Sequence, residues 1–222
     1  DPAQLPWAEN ACPATVTLFR QGVGRAHLSP PAPLPPPSGL PSWPPGVGLP
    51  PQLRSDPSWC LAEPPPADAR SSLPHGQAGL GGGETAGLAH AARYLACRRP
   101  DSYKQTRNGL TGVDYSSKWS PWLATGALSA RRILAGLRQY EAVHGATESS
   151  YWLWFELLWR DYFRFLHLQH GARLYHARGL GSNPSPPHNA AGFARWCQAA
   201  TGEPLVDAAM RELAVTGYLS NR

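Results

Sequence analysis

The residue types best suited to chemistry crowd into one stretch, SYWLWFELLWRDYFRF at residues 150–165. Half of its positions are aromatic, yet Glu156, Arg160, Asp161 and Arg164 are set among them. On a helix, residues three and four apart share a face, so Glu156, Trp159, Arg160 and Phe163 point one way and Tyr151, Phe155, Leu158 and Tyr162 another. Two readings follow. In one, the second set packs and the first is a solvated face carrying a Glu156–Arg160 ion pair. In the other, the first set walls a concave site, where a flat ligand stacks on Trp159 while the carboxylate and the guanidinium bond its edges.

A second constellation is DYSSKWS, residues 114–120, which offers Ser116, Ser117 and Ser120 hydroxyls, the Lys118 ammonium and free backbone N–H groups where a helix begins. Such a loop either caps its helix or holds an anion, and the pyrophosphate of a dinucleotide cofactor would suit it. Other candidates fall away. Glu141 with His144 forms one E-x-x-H, and His167 with His170 lies on one helix face, but a metal site of the bundle type needs two such units and further carboxylates, so no metal is expected. The glycine cluster at 79–83 follows no strand and lacks the third glycine of a dinucleotide fingerprint, which makes it a hinge. No nucleophile with a partnering base can be located.

These residues need helices to position them. From residue 84, Leu88, Ala91, Ala92 and Leu95 recur at helical spacing until Pro100. Ser120 before Pro121 reads as a capping residue at a second helix start. Ser129 caps a third helix, with Ile133, Leu134, Leu137 and Tyr140 inward and Gly145 as its stop. The aromatic stretch gives a helix over about 150–170 closed by Gly171, and two more are expected at 190–200 and 204–215. No segment from residue 84 onward reads as a strand, so the fold class expected there is mainly α.

The first part of the chain differs. Nineteen of the 25 prolines precede residue 75, and residues 29–66 show neither helical nor strand period; they read as a spacer or surface-wrapping segment, or as a proline-rich ligand for a partner. The stretch TVTLFRQGV at 15–23 has too little pattern to fix an element. Cys12, Cys60, Cys97 and Cys197 are scattered, which suits core thiols and gives neither a zinc module nor a disulfide framework. The net charge of +5 rests on 18 Arg and two Lys, which supports nucleic-acid binding modestly because GC-rich coding also raises Arg, Ala, Gly and Pro. No run is long enough to span a bilayer. The chain opens at Asp1 without an initiator Met and reads as a piece of a longer, soluble, intracellular and monomeric protein, whose start could have carried a transit peptide.

Three stretches in order, TRNGLTGVDYSSKWSPWLATGALS (106–129), YWLWFELLWRDYFRF (151–165) and TGEPLVDAAMRELAVTGYLSNR (201–222), resemble the flavin-domain motifs of the photolyase/cryptochrome family. TRNGLTG, DYSSKWSPW and ELLWRDYFRF are most similar to its DASH branch. The resemblance runs from about residue 82 to the end and weakly back through 15–23. It implies a remnant of an α/β antenna domain at 1–28, a linker at 29–81 and the first half of a helical FAD-binding domain at 82–222. It implies FAD held by Tyr103, Ser116, Ser117, Lys118, Trp119, Ser120, Phe155 and Arg160. Glu156, Trp159 and Asn221 are then the catalytic set that meets damaged bases, and Lys104, Glu156, Trp159, Arg160, Asn221 and Arg222 the DNA contacts.

The implied reaction is one-electron transfer from photoexcited reduced FAD to a cyclobutane pyrimidine dimer in single-stranded or looped DNA, splitting of the dimer and return of the electron. Extruding a damaged base costs a few kcal/mol, which stacking and edge hydrogen bonds offset. The alternatives are a blue-light photoreceptor without repair, and a fragment inactive by itself. A folate antenna (methenyltetrahydrofolate) is implied for the intact parent, with a chloroplast or mitochondrion as its compartment in a plant or alga and the cytoplasm in a bacterium. Pro186 stands where the family usually has a surface electron-transfer tryptophan, which puts that route in doubt.

Overall fold

The computed structural model describes residues 4–8, 11–39, 41–42, 44–48, 68, 70–74, 80–110, 112–182, 184–185 and 187–220. Eight α-helices appear among them: α1 (Val16–Arg25), α2 (Gly83–Ala96), α3 (Tyr103–Thr106), α4 (Ser120–Thr125), α5 (Ala130–His144), α6 (Glu148–His170), α7 (Ala190–Cys197) and α8 (Pro204–Thr216). Short 3-10 turns lie at Arg99–Asp101, Val113–Tyr115 and Gly171–Tyr175. No strand occurs among the described residues, in agreement with the expected mainly α class. Among them, no helix is long and apolar enough to cross a membrane, and no group of three potential metal ligands occurs.

Helix α6 organises the molecule. At 23 residues it is about 34 Å long, enough to serve two separate cores. Leu153 packs with Tyr94, Tyr103, Trp119, Trp122, Leu128, Ile133 and Leu137 in the first. From about one to three turns on, Leu158, Tyr162 and Phe165 pack with Cys12, Phe19 and Val23 in the second. Phe19 of α1 sits 5.4 Å from Tyr162 and 5.9 Å from Phe165, ring to ring, so the stretch whose pattern fixed no element is a helix docked on α6. In the first core, Gly87 lets α2 approach closely, because a Cβ there would come within 2.8 Å of the Trp122 ring.

The element ends differ from expectation where capping chemistry is less familiar. Helix α6 begins at Glu148, two residues early, since Thr147 and Ser150 form a reciprocal capping box: Ser150 N–H donates to Thr147 Oγ1 and Thr147 N–H to Ser150 Oγ, both at 3.0 Å. Ser120 is not a cap. It is the first residue of α4, and Trp119 takes the capping position without a side-chain bond. Helix α7 is shorter than the expected 190–200, ending at Cys197, and the chain turns through Ala199 at φ +53°. Ser129 and Gly145 flank α5 as expected. The described part of 29–66 contains neither helix nor strand, and the part from 49 to 66, Cys60 included, lies outside the described residues, as does Pro186.

Candidate functional site

The loop before α4, the start of α3, the middle of α6 and the segment after α8 enclose a cleft of about 450 Å³. Each wall has a local cause. Asp114 is fastened to Arg99 at 2.7 Å and lies 3.7 Å from Arg93, which holds the 3-10 turn ahead of the loop. His90, buried beneath, donates from Nε2 to the Ser117 carbonyl at 2.8 Å and stacks on Trp122 at 5.0 Å. Burial pushes the His90 imidazole below its ordinary range, which fits a neutral ring with its proton on Nε2. Trp119, buried edge-on against Tyr94 at 5.1 Å, anchors the loop's far end.

Between these anchors the serines and Lys118 face the cleft. Lys118 is 5% exposed, its backbone is left-handed at φ +54°, and its ammonium lies 5.2 Å from the centroid of the Tyr218 ring. Desolvation lowers its pKa, with Glu212 nearby acting in the opposite sense. Among the described residues no ion pair to Lys118 is formed within 4.0 Å. A desolvated ammonium that meets an aromatic face is suited to an anion. Helix α4 has only six residues, so its dipole adds little here and the positive character comes from Lys118.

Helix α6 contributes Glu156 and Arg160 to the same cleft. Glu156 is bonded to Arg107, whose guanidinium also lies 4.4 Å from the centroid of the Trp152 ring. Arg160 reaches Asp161 at 3.3 Å and is more exposed. Burial raises the Asp161 carboxyl, against the opposing influence of Arg160 and Arg164. Leu123, Ala124, Leu153 and Leu157 add apolar lining to the cleft.

Of the expected site residues, Tyr103, Ser116, Ser117, Lys118, Trp119, Ser120, Glu156 and Arg160 come together at this cleft. Trp159 and Phe155 do not. The single wall expected of Glu156, Trp159 and Arg160 is divided, because Trp159 and Arg160 differ by 100° around the helix. The Trp159 indole turns to the second core, 5.8 Å from Tyr162 and stacked at 5.3 Å on the exposed Phe163. Phe155, one step from Glu156, packs among Tyr151, Trp152 and Trp159. Lys104 is engaged with Glu148, outside the cleft lining. Asn221 and Arg222 lie outside the described residues. Arg107 and Tyr218 also line the cleft; they lie in TRNGLTG and TGYLSNR, but nothing in the spacing of those motifs shows that the two side chains turn inward.

Residues 152–222 match the family model of the FAD binding domain of DNA photolyase. Over those residues the chain is similar to a flavin-domain protein of the photolyase type. The chain is 46% identical over 225 residues to a cryptochrome DASH of Gloeobacter violaceus, with all of this chain and 43% of that protein covered. It is 38% identical over 223 residues to a chloroplastic/mitochondrial cryptochrome DASH of Oryza sativa, covering 98% of this chain and 37% of that one. The crystal structure of a Synechocystis cryptochrome superposes with a TM-score of 0.85 at 40% identity, over all of this chain and 44% of that chain. The chain belongs to the photolyase/cryptochrome family, in its DASH cryptochrome branch. It spans less than half the length of these relatives.

The residues present fit a flavin dinucleotide. Trp119 Nε1 is a buried donor without an acceptor among the described residues. The cleft that Trp119 lines also has three serine hydroxyls, a desolvated ammonium and the apolar side chains of Leu123, Ala124, Leu153 and Leu157. A ligand that carries both phosphates and a flat ring system meets all of these.

Proposed function

We propose that the protein to which this chain belongs binds FAD in this cleft and uses blue light to repair cyclobutane pyrimidine dimers, with single-stranded DNA preferred. The observation that supports the reading is that Lys118 with Ser116, Ser117 and Ser120, and Glu156 with Arg107 and Arg160, line one cleft. Ser116, Ser117, Lys118 and Ser120 would hold the phosphates and the ribityl chain, Tyr103 and Arg160 would orient the ring system, and Leu153 and Leu157 would exclude water from it. FAD, when bound and reduced, supplies the light-driven electron. Glu156 would accept hydrogen bonds from the edges of extruded bases. The exposed face of the stacked Trp159–Phe163 pair offers a base-stacking surface, and Lys104, Asn221 and Arg222 would serve the DNA backbone and the lesion.

On this reading residues 1–28 close an antenna domain, 29–81 link it to the helical domain, and a folate antenna serves the whole protein. Placement in a chloroplast or mitochondrion is consistent with the name of the Oryza relative. The test is the protein expressed from its complete reading frame: it should purify with flavin and remove dimers from UV-irradiated oligothymidylate only in light, faster on single than on double strands. Flavin without dimer loss would point instead to a photoreceptor.

A further inference from the structure

Arg107, the C-cap residue of α3, reaches the cleft, and its anchoring points to what it does there. Helix α3 is fastened along one stripe of α6, rung by rung. Lys104 is bonded to Glu148, and its backbone N–H donates to Ser149 Oγ at 3.3 Å. Ser149 Oγ donates in turn to Gln105 Oε1 at 3.0 Å. One turn further, the Arg107 guanidinium lies over Trp152 and donates to Glu156 Oε1. Trp152 and Glu156 are i,i+4 on α6, so one planar guanidinium meets both at once.

We propose that Arg107 is a positioning residue for Glu156: it fixes the carboxylate at the cleft wall in the orientation that meets an extruded base. The proposal rests on the reading above, in which Glu156 contacts damaged bases. Three observations support it. The Arg107 and Glu156 side chains are 16% and 31% exposed and both line the cleft, so the pair sits where a ligand arrives and is shielded enough to hold its geometry. Helix α3 is already tied to α6 through residues 104, 105, 148 and 149, so the pair is not what attaches it. The Trp152 ring beneath the guanidinium restricts where Arg107 can place its donors. A carboxylate has about four lone-pair sites, so one bonded to arginine still accepts from a base edge.

The test is a double-mutant cycle in the protein expressed from its complete reading frame, with Arg107→Met, Glu156→Gln and both together. The readout is affinity in the dark for UV-irradiated and undamaged oligothymidylate; flavin content and melting temperature are followed alongside. Arg107→Met should weaken binding of the irradiated strand about tenfold, the size of one lost charge-assisted hydrogen bond, and add nothing in the Glu156→Gln background. Arg107→Lys, which keeps the charge without the fork, should recover part of the loss. Losses that simply add in the double variant, or an equal loss on undamaged strand, would show Arg107 acting on DNA directly and would overturn the proposal. An unaltered Arg107→Met beside a weakened Glu156→Gln would overturn it while sparing the reading of Glu156. An unaltered Glu156→Gln would remove that reading and the proposal together.

Discussion

The Lys118 ammonium meets the face of the Tyr218 ring at 5.2 Å, across a gap of one hundred residues in sequence. This contact joins the segment after α8 to the loop before α4, and with it the last described residues to the cleft. Tyr218 is itself desolvated, which raises its phenol pKa, with Glu212 adding in the same sense. Glu212 also anchors the segment at 70–74, since its Oε1 accepts from Ser72 N–H at 2.9 Å and Ser72 Oγ at 2.8 Å.

Lys118→Met should stabilise the ligand-free protein and impair its loading. A buried charge replaced by an apolar side chain of similar shape commonly gains about 1 kcal/mol or more. Because burial lowers the folded-state pKa of Lys118, the folded state pays for its charge at neutral pH, and that penalty fades as pH rises from the lowered pKa towards the ordinary lysine value. The gain in melting temperature of Lys118→Met should therefore shrink in alkaline buffer, while its flavin content falls at every pH. A variant no more stable and fully loaded with flavin would contradict the anion role.

His90 predicts an acid response. Its folded-state pKa is lowered, chiefly by burial, so below the ordinary value of 6.5 the unfolded chain takes up a proton that the folded one resists, and stability declines. The decline should continue until pH passes the lowered value. His90→Phe loses the bond to the Ser117 carbonyl and should be less stable at pH 7.5, but its melting temperature should vary less between pH 7.5 and 5 than that of the parent. Equal slopes would mean that other groups govern this range.

Phe19→Ala should cost about 3–5 kcal/mol in denaturant unfolding, the usual loss for a buried phenylalanine. Phe19 is 1% exposed and touches Trp7, Tyr162 and Phe165, so the cavity would open between α1 and α6. A loss under about 1 kcal/mol would show that α1 is only loosely attached to α6.

Much of this organisation was legible in the sequence, because periodicity reports which residues pack and glycines and prolines report where helices stop. Ile133, Leu137 and Tyr140 are buried as their spacing required, and Leu158 and Tyr162 likewise. Residue types alone made DYSSKWS and Glu156 with Arg160 candidates, but only motif resemblance joined them into one site, since DYSSKWS has no period and its shape depends on a left-handed Lys118 and a bond from His90, 27 residues upstream. Arg107 escaped notice because its partner is 49 residues away. Trp159 keeps its expected neighbour Phe163 but turns from Glu156 and Arg160 to the second core, because helical spacing gives the direction of a Cβ but not where a large ring turns beyond it. For α1, the packing that makes it a helix comes from α6, and no local pattern could supply that.

The most direct test of the whole account is light-dependent dimer loss in Glu156→Ala, made in the protein expressed from its complete reading frame. Flavin content should equal that of the parent and repair should fall at least about tenfold, as expected when a hydrogen bond to the reacting bases is removed. Undiminished repair in that variant would contradict the placing of the lesion at this cleft.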